Sequence, residues 1–205
     1  MAAAISLGNL PRLELVSGGT LQAEQLASVS LLVVEEGLVV LRTSIPSSGR
    51  RTITCHAGTG ALILPPVDDQ TLFALTGTVL RPISAAACDR LLQTPETARL
   101  LLEGLFETLR QKDAAIASMS RLHHVDRVRE KLIQLAREHG RVGRDGVRLD
   151  FPLTHDLLGE MTGSARETVT RALDELQREG FVIRRGRTYS LRLQPEQLAA
   201  LSNGR

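Results

Sequence analysis

The chain has 205 residues, a formal net charge of +2, 42% hydrophobic and 2% aromatic residues, and two cysteines, Cys55 and Cys88. That length supports two modest domains with real cores, while two cysteines exclude a disulfide-stapled secreted scaffold and fit a reducing cytoplasm. The scarcity of aromatic residues disfavours single-strand binding by base stacking, and neither a membrane-spanning apolar run nor a signal peptide is legible.

Residues 1–93 read mostly as short strands. Leu31–Val34 and Leu38–Arg42 flank Glu35-Glu36-Gly37, which reads as a hairpin turn. Pro46-Ser47-Ser48-Gly49 marks a second turn before Arg51–Cys55. Gly58-Thr59-Gly60 punctuates the chain before Ala61–Leu64, and Leu72–Leu75 and Thr78–Ile83 complete the strand candidates. Strands at this spacing imply a small antiparallel roll.

Ser84–Leu92 reads as a short helix. A long helix over 94–122 follows, with Thr94 as N-cap and Pro95 at the first helical position. Its apolar residues, with Leu102, Leu105, Leu109, Ile116 and Met119 as the candidate dimer contacts, recur at alternating steps of four and three, a coiled-coil seam. A helix this long needs a second surface, so self-association as a homodimer is expected. Val125–His139 is a further amphipathic helix, Gly140–Gly146 a polar loop, and Val147–Phe151 a strand.

The stretch Leu153–Leu176 carries the most information. Thr154 to Met161 reads as a first helix with Leu157, Leu158 and Met161 facing inward, and Gly163 supplies a tight turn. Ser164-Ala165-Arg166-Glu167 has the pattern of a capping box opening a second helix. On that helix Val169, Leu173 and Leu176 face inward, while Arg166, Glu167, Thr170 and Arg171 face outward near its start. This is the geometry of a helix-turn-helix over about 154–176, whose second helix meets base edges in the major groove of double-stranded DNA. Arg pairs bidentately with guanine and Glu accepts from the cytosine amino group. The charge distribution agrees. Residues 121–205 hold 16 Lys+Arg against 12 Asp+Glu, and residues 1–120 hold 9 against 11.

At these residues, LT(x)DLLGEMTG-S-(x)-RETV-(x)-R followed by LDELQREGFVIRRGRTYSL, the sequence resembles the cyclic-AMP receptor/fumarate-nitrate regulator (Crp/Fnr) family of bacterial transcription factors. EEGLVVL and TLFALTGTVLRPISAAACDRLLQTPETA extend the resemblance toward the N-terminus. It implies an α+β fold: an N-terminal antiparallel β-roll of the cyclic-nucleotide-binding type (1–93), a dimerisation helix (94–122) and a C-terminal winged helix-turn-helix (123–205). It further implies base reading by Arg166, Glu167 and Arg171 at GTG/CAC-like half-sites, with Thr170 at a variable position that tunes specificity. Backbone phosphates are expected at Thr154, Ser164 and Thr168, and at Arg184, Arg185 and Arg187 of a wing hairpin turning at Gly186. RNA polymerase is the implied protein partner.

The cyclic-nucleotide pocket departs from the family pattern. LILPPVDDQTLFAL has no Glu after a Gly, and Asp68–Gln70 fall where the phosphate-binding Arg belongs. Two carboxylates repel a phosphate, so neither cyclic AMP nor cyclic GMP is expected to bind. An iron–sulfur cluster needs more cysteines than two distant ones. His56, His123 and His124 could ligate haem, and His123-His124-(x)-Asp126 a metal, but isolated histidines are more often structural; no cofactor or metal is expected. Without a nucleophile–base set or phosphate-binding Gly loop, an enzyme is not expected. The leading expectation is a DNA-binding regulator independent of cyclic nucleotide, of the kind that includes stress-response activators. The alternative is a regulator gated by a non-nucleotide ligand, haem or redox signal in the roll.

Overall fold

In a computed structural model of the chain, residues 10–119, 123–143, 146–186 and 188–193 are described. They form two compact units, Met1–Ile116 and Ala117–Arg205, divided inside a long helix.

The first unit is built from eight strands: β1 (Leu13–Leu15), β2 (Thr20–Gln22), β3 (Val29–Glu36), β4 (Leu38–Ile45), β5 (Arg50–Gly58), β6 (Leu62–Ile63), β7 (Gln70–Ala74) and β8 (Thr78–Ser84). They pair antiparallel in two sheets, ordered β1-β8-β3-β6 and β2-β7-β4-β5. The alternation of side chains along β3 explains the layering. Leu32 and Val34 point into one apolar cluster with Val39, Leu41, Leu72 and Leu80. Leu31 and Val33 point into a second cluster with Ile83, Ala87 and Leu101. A strand covered on both faces reads as a continuous apolar run, as LLVV does. Arg81 on β8 donates to both carboxylate oxygens of Glu35 on β3, at 2.8 and 3.0 Å, and to the Leu10 carbonyl at 2.8 Å.

The expected hairpin around Glu35-Glu36-Gly37 is not a hairpin. β3 pairs with β8 and β6, whereas β4 pairs with β5 and β7. Gly37 is the corner at which the chain leaves one sheet for the other. Its φ is +93°, and a Cβ there would lie 2.4 Å from the Gly77 carbonyl oxygen and 2.8 Å from Thr78 Cα.

The short helix α1 (Ala85–Leu92) is capped by Ser84, whose hydroxyl accepts the Ala87 N–H at 3.4 Å. The long helix α2 (Pro95–Met119) starts at the expected proline, and its expected last turn to Leu122 lies outside the described residues. One face of α2 is buried through Leu101, Gly104, Thr108 and Ala115. Thr108 lies within hydrogen-bond distance of the carbonyls of Leu62 and Gly104, at 3.1 Å each. Leu102, Phe106, Leu109 and Ile116 are exposed. Of the seam positions expected from sequence, Leu105 instead packs against the β-roll, and Phe106 takes the exposed position.

The second unit contains α3 (His124–His139), β9 (Arg141–Gly143), β10 (Gly146–Leu149), α4 (His155–Thr162), α5 (Arg166–Arg178), β11 (Val182–Arg185) and β12 (Thr188–Leu191). Its sheet runs β11-β12-β10-β9, all pairs antiparallel. The polar stretch expected to be a loop therefore contributes a strand: Arg141–Gly143 pairs with Gly146–Arg148. All three β9 residues are exposed, so no apolar alternation marks the strand in the sequence. The three helices bury Val128, Leu132, Leu135, Leu157, Leu158, Met161, Val169, Leu173 and Leu176 together with Tyr189 and Leu191 of the sheet.

Candidate nucleic-acid interface

Helix α4 is opened by Thr154, whose hydroxyl accepts the Leu157 N–H at 3.1 Å. A hydroxyl that accepts in this way retains its own proton for an outside oxygen. The helix closes at Gly163, with φ +63° and ψ 27°, a left-handed cap that turns the chain within one residue. Helix α5 then starts at Arg166 with Ala165 as its N-cap and without a side-chain cap.

Ser164 departs from the expectation. The Gly163 turn swings its side chain inward. It is buried, and its Oγ lies 3.4 Å from Arg127 Nη2 and 3.4 Å from His124 Nδ1. Ser164 neither caps α5 nor faces outward, and it drops out of the set of backbone-phosphate contacts. Arg127, itself buried, holds this cluster together. It donates to the Met119 carbonyl at 3.1 Å and to His124 Nδ1. Nothing in the sequence pattern pointed to Arg127, because a charged residue in an amphipathic helix is ordinarily read as solvent-facing.

The strongly amphipathic α5 buries Val169, Ala172, Leu173 and Leu176 and leaves Arg166, Glu167 and Arg171 exposed. Thr168 and Thr170 are half-buried. Arg166 Nε stands 3.8 Å from Asp156 Oδ2, with both side chains about two-thirds exposed (65% and 63%). An exposed pair at that distance holds its partners weakly and releases them readily. The exposed end of α5 is also its N-terminus, where unpaired backbone N–H groups favour an approaching anion.

Thr170 is bound from two sides. Its hydroxyl donates to the Arg166 carbonyl at 3.0 Å, and His155 Nδ1 on α4 lies 2.8 Å from the same oxygen. Burial, together with the guanidinium groups of Arg184 and Arg166, lowers the pKa of His155 against the opposing pull of Asp174 and Asp156. Those neighbours come from α4, α5 and β11, so the helix pair and the hairpin converge around one imidazole. Arg184 and Arg185 are exposed on β11, and Arg184 donates to the Gly186 carbonyl at 3.0 Å. Arg187 lies outside the described residues.

The dimer-contact candidates divide. Leu102, Leu109 and Ile116 are exposed on α2. Leu105 is turned to the roll. Met119 is half-buried, and a Cβ on Gly163 would sit 3.6 Å from its Cγ.

Within the roll, the space between the sheets is filled by Leu21, Leu32, Val39, Leu41, Ile63, Leu72 and their neighbours. Asp68 and Asp69 stand exposed between β6 and β7, where Gln70 N–H donates to the Val67 carbonyl at 2.6 Å and Ser44 N–H to the Asp69 carbonyl at 2.8 Å. No helix among the described residues is long and apolar enough to cross a membrane.

Residues 126–201 match the family described as the Crp-like helix-turn-helix domain. The global nitrogen regulator of Synechocystis sp. is 36% identical over 89 residues, 43% of this chain and 39% of the relative. The match thus spans about two-fifths of the length of such curated relatives. The CRP-like cAMP-activated global transcriptional regulator of Mycobacterium tuberculosis is 25% identical over 177 residues, covering 83% of this chain and 79% of the relative. Among solved structures, FixK2 from Bradyrhizobium japonicum superposes with a TM-score of 0.77 at 20% identity, over 93% of this chain and 96% of its own. A CRP-family transcriptional regulator from Thermus thermophilus gives 0.75 at 21%, with the same coverage of both chains.

Proposed function

We propose, on the premise that this chain belongs to the Crp/Fnr family, that it is a transcriptional regulator acting as a homodimer on a pseudo-palindromic DNA operator. One observation carries the reading: Arg166, Glu167 and Arg171 stand exposed along the first turns of α5, on the helix that a helix-turn-helix places in the major groove.

In this reading Arg166 and Arg171 pair with guanine, and Glu167 accepts from cytosine, at GTG/CAC-like half-sites. Thr154, Thr168, Arg184, Arg185 and Arg187 contact phosphates and fix the register without specifying sequence. The exposed α2 residues Leu102, Phe106, Leu109 and Ile116 meet the same face of a second copy, which sets two recognition helices about one helical turn apart. RNA polymerase is the protein partner that the family resemblance supplies.

Regulation in this reading needs no cyclic nucleotide. The M. tuberculosis relative is named as cAMP-activated. Here the roll interior is aliphatic, and two carboxylates occupy the stretch where the family places its phosphate-binding Arg. Abundance of the protein, rather than a small effector, then sets promoter occupancy, as for a stress-response activator.

The test is fluorescence anisotropy with ligand-free full-length protein at fixed near-physiological salt. Binding to a duplex with inverted GTG/CAC half-sites is expected to be about a thousandfold tighter than to scrambled DNA. Equal binding to both duplexes rejects sequence-specific reading by the ligand-free protein, and selectivity that emerges only with cyclic AMP rejects effector independence.

A further inference from the structure

Helix α5 presents four outward residues near its start, and the chemistry of three is plain from their charge. Thr170 is different, because its hydroxyl is already engaged. The Arg166 carbonyl oxygen, 3.0 Å away, can only accept, so the single hydroxyl proton goes to it. The imidazole Nδ1 at 2.8 Å must then carry a proton and donate to the hydroxyl oxygen. That assigns His155 the tautomer protonated on Nδ1. Its Nε2 is buried and without a hydrogen-bond partner among the described residues, which suits an uncharged ring. Arg166 and Asp174 on α5, Arg184 on β11 and Asp156 on α4 are the charged groups around it.

A hydroxyl committed in this way has no proton to give to guanine O6 or N7, adenine N7 or thymine O4. What remains is the γ-methyl group and a single oxygen lone pair, which can only accept, from adenine N6 or cytosine N4. The apolar feature that the major groove offers is the thymine C5-methyl, and a threonine methyl is one of the groups that contacts it.

We propose that Thr170 selects a thymine in the half-site through its γ-methyl group, and that His155 is the positioning residue that, with the Arg166 carbonyl, holds the Thr170 side chain in place. The proposal rests on the DNA-binding reading above and assigns a base and a mode of contact to a position that the family resemblance marks as variable.

The experiment starts from the half-site that the wild-type dimer selects from a randomised duplex. Each thymine of that site is then replaced in turn by deoxyuridine, which lacks only the 5-methyl group, and affinity is read by anisotropy. At one position the wild type is expected to lose about fourfold, the worth of burying one methyl group. Thr170→Val keeps a methyl at that place and should show the same loss. Thr170→Ser lacks the methyl and should bind thymine and deoxyuridine equally. His155→Ala removes one of the two contacts that hold the Thr170 side chain, so the methyl is no longer fixed toward the base and the thymine-to-deoxyuridine ratio should fall toward one.

Three results overturn the methyl contact: a selected half-site in which no thymine is sensitive, undiminished sensitivity in Thr170→Ser, or loss of discrimination in Thr170→Val, which would mean that the hydroxyl reads the base. An unchanged ratio in His155→Ala overturns the positioning role. Failure of the wild type to select any half-site overturns the DNA-reading premise itself, a result separate from the others.

Discussion

Arg166 illustrates how one residue can serve two states. In the free protein it lies 3.8 Å from Asp156 in an exposed pair that costs little to open; in the proposed DNA complex the same guanidinium would pair bidentately with guanine. Arg166→Ala is expected to cost about 1–3 kcal/mol of binding and to relax preference at one base position. Anisotropy against a panel of single-base operator variants checks this, and an equal loss on every duplex would move Arg166 to the phosphate contacts. His155 gives a pH signature of its own. Its pKa is lowered in the folded chain, while in the unfolded chain it titrates near 6.5. Between those two values the unfolded state binds more protons, so stability rises with pH through that window and levels off above it. Thermal melting from pH 5 to 7.5 should therefore show a shallower pH dependence in His155→Asn than in wild type. His139, packed edge-on against Phe151 and pushed down by burial to about 4, adds a slope of the same sign that the substitution leaves in place. A pH profile identical to wild type would deny His155 any share.

At the level of elements, much was legible because local chemistry decides it. Thr154 caps the helix it precedes, Pro95 opens α2, and Gly163 turns the helix pair. What escaped had its cause elsewhere in the chain. The continuous apolar runs of β3 and β4 announce that these side chains are buried but not which strand is the partner, so a corner at Gly37 passed for a hairpin. Strand β9 carries no apolar pattern because all three of its residues are exposed. The capping-box pattern at Ser164 was present as letters, but the left-handed turn before it determines where the side chain goes. On α2 the seam shifts from Leu105 to Phe106 because the roll claims Leu105, a competition that helical spacing alone does not reveal. The shift yields a test. Leu109, exposed between Phe106 and Ile116, is central to the proposed self-association, and Leu109→Glu is expected to yield a monomer by sedimentation velocity while leaving the circular dichroism spectrum unchanged. A Leu109→Glu dimer of wild-type affinity would place the interface elsewhere.

For the whole molecule, the two units differ in how much of each is legible in the sequence. The exposed residues Arg166, Glu167 and Arg171 of α5 were legible as outward-facing because the helix-turn-helix pattern fixes which helix positions are buried. The first unit was legible as a class of fold, since many aliphatic sequences satisfy the same pair of packed sheets. If two recognition helices act together, the spacing of half-sites is a property of the dimer rather than of either helix. Inserting about five base pairs between half-sites rotates one of them by half a helical turn and should reduce affinity to that of a single half-site. Retained affinity would mean that one subunit suffices.

The corner at Gly37 has a consequence for mutational tolerance. Gly37 and Gly163 both have positive φ, but only at Gly37 would a Cβ collide with backbone, at 2.4 Å from an oxygen and 2.8 Å from a Cα. At Gly163 the nearest atom is a methionine side chain at an ordinary 3.6 Å. Among all twenty residues, asparagine enters the left-handed region most readily after glycine. A library saturating both codons and sorted for folded protein should therefore return glycine and asparagine at position 163, but glycine alone at position 37. The chain can change sheets there only because nothing is attached to its Cα.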